Sequence, residues 1–191
     1  MEEYIKDLTQ DKTMHEYDEM SIIRSVRHNP QQFGCLYEQY VKRVFSYVYS
    51  RIGNVHDAED VTAQTFLAAF ESFGKFRQAG HFAPWLFMIA RNKSMDLFRK
   101  THNATAMDDV DEIAQEEDVL GNLIHSEQAE VLSKLIQALP EYERELLRLR
   151  FLAEMSFPQM ARFLKRNEAA VKKSLYRLLA RLQSQVEVSN G

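Results

Sequence analysis

One cysteine, Cys35, one tryptophan, Trp85, six glycines and four prolines are all that 191 residues contain of these types. A single thiol excludes an internal disulfide and fits a reducing compartment, so the expected localisation is cytoplasmic. With so few helix breakers, and with 45% hydrophobic and 27% charged residues, long segments can keep one apolar period without interruption. That pattern predicts an all-α protein. No apolar run approaches the ~20 residues that a membrane-spanning helix needs. The opening MEEYIKDLTQDK has neither the basic nor the apolar segment of a signal peptide, so none is expected. The histidines are scattered without ligand spacing, and no nucleophile stands near a base in a recognisable set. No metal, no cofactor and no catalytic residue is therefore expected.

The most informative segment that is present is SFPQMARFLKRNEAAVKKSLYRLLARLQ, residues 156–183. Ser156 with Gln159 three places later has the form of a capping box, and Pro158 falls in the first turn, where its missing N–H matters least. Met160, Ala161, Phe163 and Leu164 give the short helix an apolar side. Lys165-Arg166 interrupts, Asn167 is a favoured N-cap, and a second helix follows with Val171, Leu175, Leu178 and Leu182 on one face. The seven basic residues from Arg162 to Arg181 meet a single acid, Glu168. An apolar back and a basic front in a helix-turn-helix suit the DNA major groove, while a merely solvated basic face is the alternative.

A formal net charge of -4 looks unfavourable for nucleic acid until it is mapped. Asn103 to Val131 holds nine acids and no Lys or Arg, so the basic charge is concentrated in the segments on either side. Asn29-Pro30 predicts a boundary after a polar leader with a weak helix at about Tyr17 to Val26. Phe33, Tyr37, Tyr40, Val41, Val44 and Val48 predict the buried face of the next helix, and Gly53-Asn54 its end. In HDAEDVTAQTFLAAFESF the face is Val61, Thr65, Phe66, Ala69, Phe70 and Phe73. Asp57, Glu59 and Asp60 crowd its first turn, either complementing the helix dipole or offering an acidic tip to a basic protein. A loop, Gly74 to His81, leads into FAPWLFMIARNKSMDLFRK, where basic and aromatic side chains stand together as unpaired DNA requires. Trp85 reads as core there, and Asp96 as a partner of Arg99 or Lys100.

The DAED run with Gln64 and Phe66, the FAPWLFMIARN run ending in DLFRK, ALPEYERELLRLRF and the helix-turn-helix, in that order, resemble an extracytoplasmic-function sigma factor of the sigma-70 superfamily. The resemblance covers most of Phe33 to Gln183. It implies two small helical domains joined by an acidic flexible linker: a leader at 1–28, sigma region 2 at 29–102, linker at 103–127, sigma region 4 at 128–187 and a tail at 188–191. It further implies docking to the polymerase beta-prime coiled coil through Asp57, Glu59, Asp60, Gln64 and Leu67. Minus-ten promoter contacts would fall to Phe76, Arg77, His81, Arg91, Asn92, Lys93, Arg99 and Lys100. Minus-thirty-five contacts would fall to Arg166, Lys172, Lys173, Tyr176, Arg177 and Arg181. Implied partners are core RNA polymerase through its beta-prime and beta subunits, promoter DNA and an anti-sigma factor, with the free chain monomeric.

Three positions depart from the family pattern. The turn has Lys165-Arg166 without a glycine, so a left-handed residue there costs roughly 1–2 kcal/mol. Val171-Lys172-Lys173-Ser174 stands where relatives read V-K-S-R, and Ala169-Ala170 replaces the frequent Gly-Thr. About 25 linker residues average roughly 25–30 Å as a coil. Promoter elements separated by some 17 base pairs lie about 55–60 Å apart at ~3.4 Å each, so the linker spans them only when stretched. Val119 to Ile124 reads as a short helix within it. Other readings are a helix-turn-helix regulator acting without polymerase and a sigma-like decoy that binds only an anti-sigma factor.

Overall fold

The computed structural model describes residues 19–77, 81–105 and 127–189. Among them there are helices and no strands. Helix α1 covers residues 19–28, α2 Phe33–Ile52, α3 Val55–Ser72 and α4 Phe82–Thr105. After the undescribed stretch come α5 Glu127–Gln137, α6 Glu141–Leu147, α7 Phe157–Leu164 and α8 Glu168–Ser189. A π-helical turn, Arg148–Leu152, extends α6. Residues 106–126 of the linker expected at 103–127, with the short helix expected at Val119 to Ile124, lie outside the described residues.

The first half packs around α2. Leu36, Tyr40, Val44, Tyr47 and Val48 are buried on one face, against Ala58, Val61, Phe66 and Ala69 of α3 and Phe82, Leu86, Phe87 and Ala90 of α4. Rings meet edge-on at the centre: Tyr40 with Phe82 at 5.3 Å and Tyr47 with Phe87 at 5.3 Å, the arrangement that ring quadrupoles favour. Thr65 and Ser94 are buried within α3 and α4, and each donates its hydroxyl to the carbonyl four residues back, at 2.7 and 2.9 Å. Neither hydroxyl is left unsatisfied.

Local rules explain the joints. Gly53 takes φ 77°, which a side chain resists, and its N–H closes α2 onto the Tyr49 carbonyl at 2.8 Å. Asn54 then caps α3 by accepting from the Asp57 N–H at 3.1 Å. The leader, read from sequence as polar and weakly amphipathic with a helix at about Tyr17 to Val26, forms α1 and carries Ile23 and Val26 into the core. Glu19 is buried and accepts a short hydrogen bond from the Tyr40 hydroxyl.

The expected faces need correction at two positions. Tyr37 and Phe70 are 45% and 47% exposed. Each lies at the edge of its helix stripe, where periodicity alone does not say which flank a neighbouring helix covers. In the second half, Leu146, Leu149, Met155, Met160 and Phe163 form a core closed by Val171, Leu175, Leu178 and Leu182, all buried. The α8 stripe stands as the spacing predicts.

Candidate nucleic-acid and polymerase surfaces

The acidic start of α3 is the first candidate surface. Asn54 aims the first turn outward, leaving Glu59, Asp60 and Gln64 exposed and Asp57 half-buried. Leu67, one helix face away from the core, is 59% exposed. Tyr37, its ring edge-on to Phe66 at 4.8 Å, and Phe70 extend the surface with apolar area. The structure thus brings carboxylates and a broad apolar strip to one side of the molecule, a combination that the acid cluster alone did not reveal.

The second surface is α4 and the chain leading into it. Arg77, Asn92, Arg99 and Lys100 are exposed, Lys93 is half-buried, and Arg99 pairs with Asp96 at 3.4 Å. Phe76 is a correction. It is only 6% exposed, with its ring 4.8 Å from Trp85 and 5.8 Å from Phe82. Its extended backbone after a 3-10 turn swings the ring inward, where the Arg27 guanidinium holds its carbonyl at 2.9 Å. Phe76 is therefore part of the core. His81 is half-buried at the start of α4 and its carbonyl accepts the Trp85 N–H at 3.3 Å. Residues 78–80 of the expected loop lie outside the described residues. Phe98, which the sequence reading passed over, is exposed beside Arg99 and Lys100.

The helix-turn-helix is the third surface. The capping box forms with both reciprocal bonds: the Ser156 N–H donates to Gln159 Oε1 at 2.9 Å, and the Gln159 N–H to Ser156 Oγ at 3.4 Å. Lys165 occupies the left-handed region at φ 53°, ψ 44°. Asn167 caps α8, accepting from the Ala169 N–H at 2.8 Å. Lys172, Lys173 and Arg177 project from α8 into solvent, and Tyr176 is half-buried with its ring 5.9 Å from Phe157. The Lys172 ammonium lies 5.7 Å and 5.8 Å from those two ring centres, and the Arg166 guanidinium 4.7 Å from Tyr142. Arg181 forms a short ion pair with Glu143, tying α8 to α6.

The two halves also touch. Tyr47 donates to Glu145 Oε1 at 2.7 Å, and Arg51 Nη1 reaches Glu145 Oε2 at 2.5 Å. Arg91, expected to contact DNA, has Nε 3.9 Å from Glu145 Oε1 and its guanidinium 5.8 Å from the Phe163 ring. Arg148 bonds Glu141 at 2.8 Å and the Ser50 carbonyl at 3.0 Å, and Arg43 Nε bonds the Ala153 carbonyl at 3.1 Å. A signal for this contact was present but unused: Glu145 falls in register with Tyr142 and Leu149, a carboxylate on an otherwise apolar stripe.

Comparison with known proteins agrees with this division. Residues 36–104 match the family described as Sigma-70 region 2, and residues 129–182 match Sigma-70, region 4. The ECF RNA polymerase sigma factor BldN of Streptomyces coelicolor is 35% identical over 158 residues, which span 78% of this chain and 58% of the relative. SigM of Bacillus subtilis, another ECF RNA polymerase sigma factor, is 28% identical over 78% of this chain and 91% of its own length. Among solved structures, CnrH in complex with the cytosolic domain of CnrY has the same fold, with TM-score 0.64 and 22% identity over 89% of this chain and 97% of CnrH. Both regions therefore stand on one chain in the order the motifs require, and the chain belongs to the sigma-70 family of RNA polymerase sigma factors, in its extracytoplasmic-function group.

Proposed function

We propose that this chain is a non-enzymatic alternative sigma factor that works in the cytoplasm, binds core RNA polymerase and directs it to its own set of promoters. The observation that carries the reading is the presence of both sigma regions, in order, on one chain. The acidic and apolar side of α3, through Asp57, Glu59, Asp60, Gln64 and Leu67, is the surface offered to the polymerase. Arg77, His81, Asn92, Lys93, Arg99 and Lys100 serve the minus-ten element, where cationic side chains follow the phosphates of an opened strand. Lys172, Lys173, Tyr176 and Arg177 serve the minus-thirty-five element, with Arg166 and Arg181 at its margins. Good bidentate base contacts there discriminate by about 1–3 kcal/mol each. An anti-sigma factor is the proposed regulator, by likeness to the sigma factor RpoE of Bartonella quintana, solved in complex with the anti-sigma factor NepR.

Run-off transcription with purified core polymerase on a promoter library is the test. Transcripts that depend on this protein support the reading; duplex binding without transcription overturns it in favour of an ordinary helix-turn-helix regulator. The division of labour is tested separately. Lys172→Ala with Arg177→Ala should reduce minus-thirty-five use at least about tenfold, one lost base contact's worth, while core affinity holds. Asp57→Arg with Asp60→Arg should weaken pull-down of core enzyme and spare DNA contacts. Equal loss of both activities in either variant contradicts the assignment.

A further inference from the structure

The rings beside the helix-turn-helix meet its charges as well as its core. Phe157, the first residue of α7, is half-buried at the rim of the apolar cluster. Its ring lies 5.9 Å from that of Tyr176 and 5.7 Å from the Lys172 ammonium, which is in turn 5.8 Å from the Tyr176 ring. Lys172 and Tyr176 stand one turn apart on α8, so a single side chain of α7 meets both. The place of that side chain is fixed locally. Ser156 and Gln159 lock the start of α7 through the capping box, and Pro158 sets the backbone of the residue that follows Phe157. The Arg150 guanidinium, 5.1 Å from the same ring, is anchored on the Met155 carbonyl at 2.8 Å. Two cations thus share one ring, and among the described residues neither pairs with a carboxylate. Burial lowers the Arg150 pKa, as expected of a guanidinium with no acid at hand. The negative face of the ring is the counter-charge that both use. Lys173 and Arg177, by contrast, are exposed and among the described residues meet no ring.

We infer that Phe157 is a positioning residue for minus-thirty-five recognition: its ring holds Lys172 and Tyr176 in one direction before DNA arrives, so that α8 presents one held pair and one free pair. The inference deepens the function proposed above and rests on it. A lysine ammonium is a point charge on a flexible stem, and left free it meets phosphate or base edge indifferently. Held against two rings, it gives up that freedom in the free protein and not at the moment of binding, which favours the base edge within its reach. The Phe157 side chain has no hydrogen-bonding group, so it acts through the two side chains that it carries. Its effect is therefore confined to the base pairs that those side chains meet.

The full-length protein provides the test, with duplexes enriched from a random pool by binding to the wild type. In nuclear magnetic resonance spectra of the free protein, the Lys172 side-chain methylene protons, assigned by their loss in Lys172→Ala, should lie upfield under the ring current. Phe157→Leu keeps the apolar bulk without the ring and should move them toward the ordinary lysine position; Phe157→Tyr should keep them upfield. Phe157→Leu should also weaken duplex binding about two- to fivefold and lower discrimination at the base pair where Lys172→Ala lowers it, while Phe157→Tyr binds at least as tightly as the wild type. In the Phe157→Leu background, Lys172→Ala should cost correspondingly less. Melting curves check that each variant folds. Methylene protons at the ordinary lysine position in the wild type overturn the inference even if the leucine variant does not fold, and so does a loss of binding spread evenly over all base pairs. Run-off transcription separates the two ideas: ring-dependent, position-specific duplex binding without any polymerase-dependent transcript leaves the role of Phe157 in reading DNA standing and rejects the sigma function.

Discussion

Lys165 holds a backbone shape that its side chain disfavours, and the reason lies in its neighbours. Its N–H reaches back to the Arg162 carbonyl at 3.2 Å while the next N–H, of Arg166, reaches the Ala161 carbonyl at 2.9 Å. This ends α7 within one residue and lets Asn167 begin α8 immediately. Lys165→Gly should therefore raise the thermal midpoint, by an amount matching up to about 1 kcal/mol once the greater freedom of the unfolded glycine is subtracted from the left-handed penalty. Melting curves of the two proteins decide this, and a lower midpoint for the glycine variant contradicts it. Tyr47 offers a second test. Burial first, and then the Glu145 carboxylate, push its hydroxyl far above the ordinary tyrosine value. Below about pH 10 the phenol is protonated in both folded and unfolded chains; above it only the unfolded chain releases the proton, so stability falls as pH rises. Tyr40 is raised by the same causes, burial and then Glu19. Tyr47→Phe should flatten the fall in melting temperature above about pH 10 without abolishing it, because Tyr40 still contributes.

At the scale of elements, the parts most legible in the sequence are those fixed by contacts between near neighbours. The capping box at Ser156, the Asn167 cap and the four-residue stripe of α8 need only a helix and an apolar partner, so spacing alone locates them. Ser156→Ala should cost about 1 kcal/mol of stability and loosen the first turn of α7, seen as a lower melting temperature and faster amide exchange there. Leu178→Ala, in the middle of the buried stripe, should cost about 2–5 kcal/mol. The less legible parts depend on which helix arrives from elsewhere. Tyr37 and Phe70 have the apolar character of core residues, but among the described residues no helix covers their flank, so they stand on the α3 side as exposed rings. Phe76, expected at the DNA surface, is buried for the converse reason. Composition put an aromatic residue in a basic loop, while Trp85, Phe82 and the Arg27 guanidinium supplied it with a buried place.

Across the whole molecule, the family and its two regions were readable from motif order, and the net charge of -4 ceased to be an objection once the acids were placed in the linker. The docking of one half on the other was not readable, because Glu145 lies far in the chain from Arg43, Arg51 and Arg91 and each has an ordinary explanation as a helix-surface charge. Only their convergence, with Glu145 4% exposed, gives them a common role. The π-helical turn at Arg148–Leu152 is what makes that convergence possible, since its extra residue brings the Ala153 N–H to the Arg148 carbonyl at 2.8 Å and ends the helix with the Ala153 carbonyl facing Arg43. That turn also sets a phase. Removing one residue from 149–152 would let α6 run on as an ordinary α-helix and rotate everything after it by about 100°. The chain's length between Glu145 and Ser156 is thus fixed to the single residue.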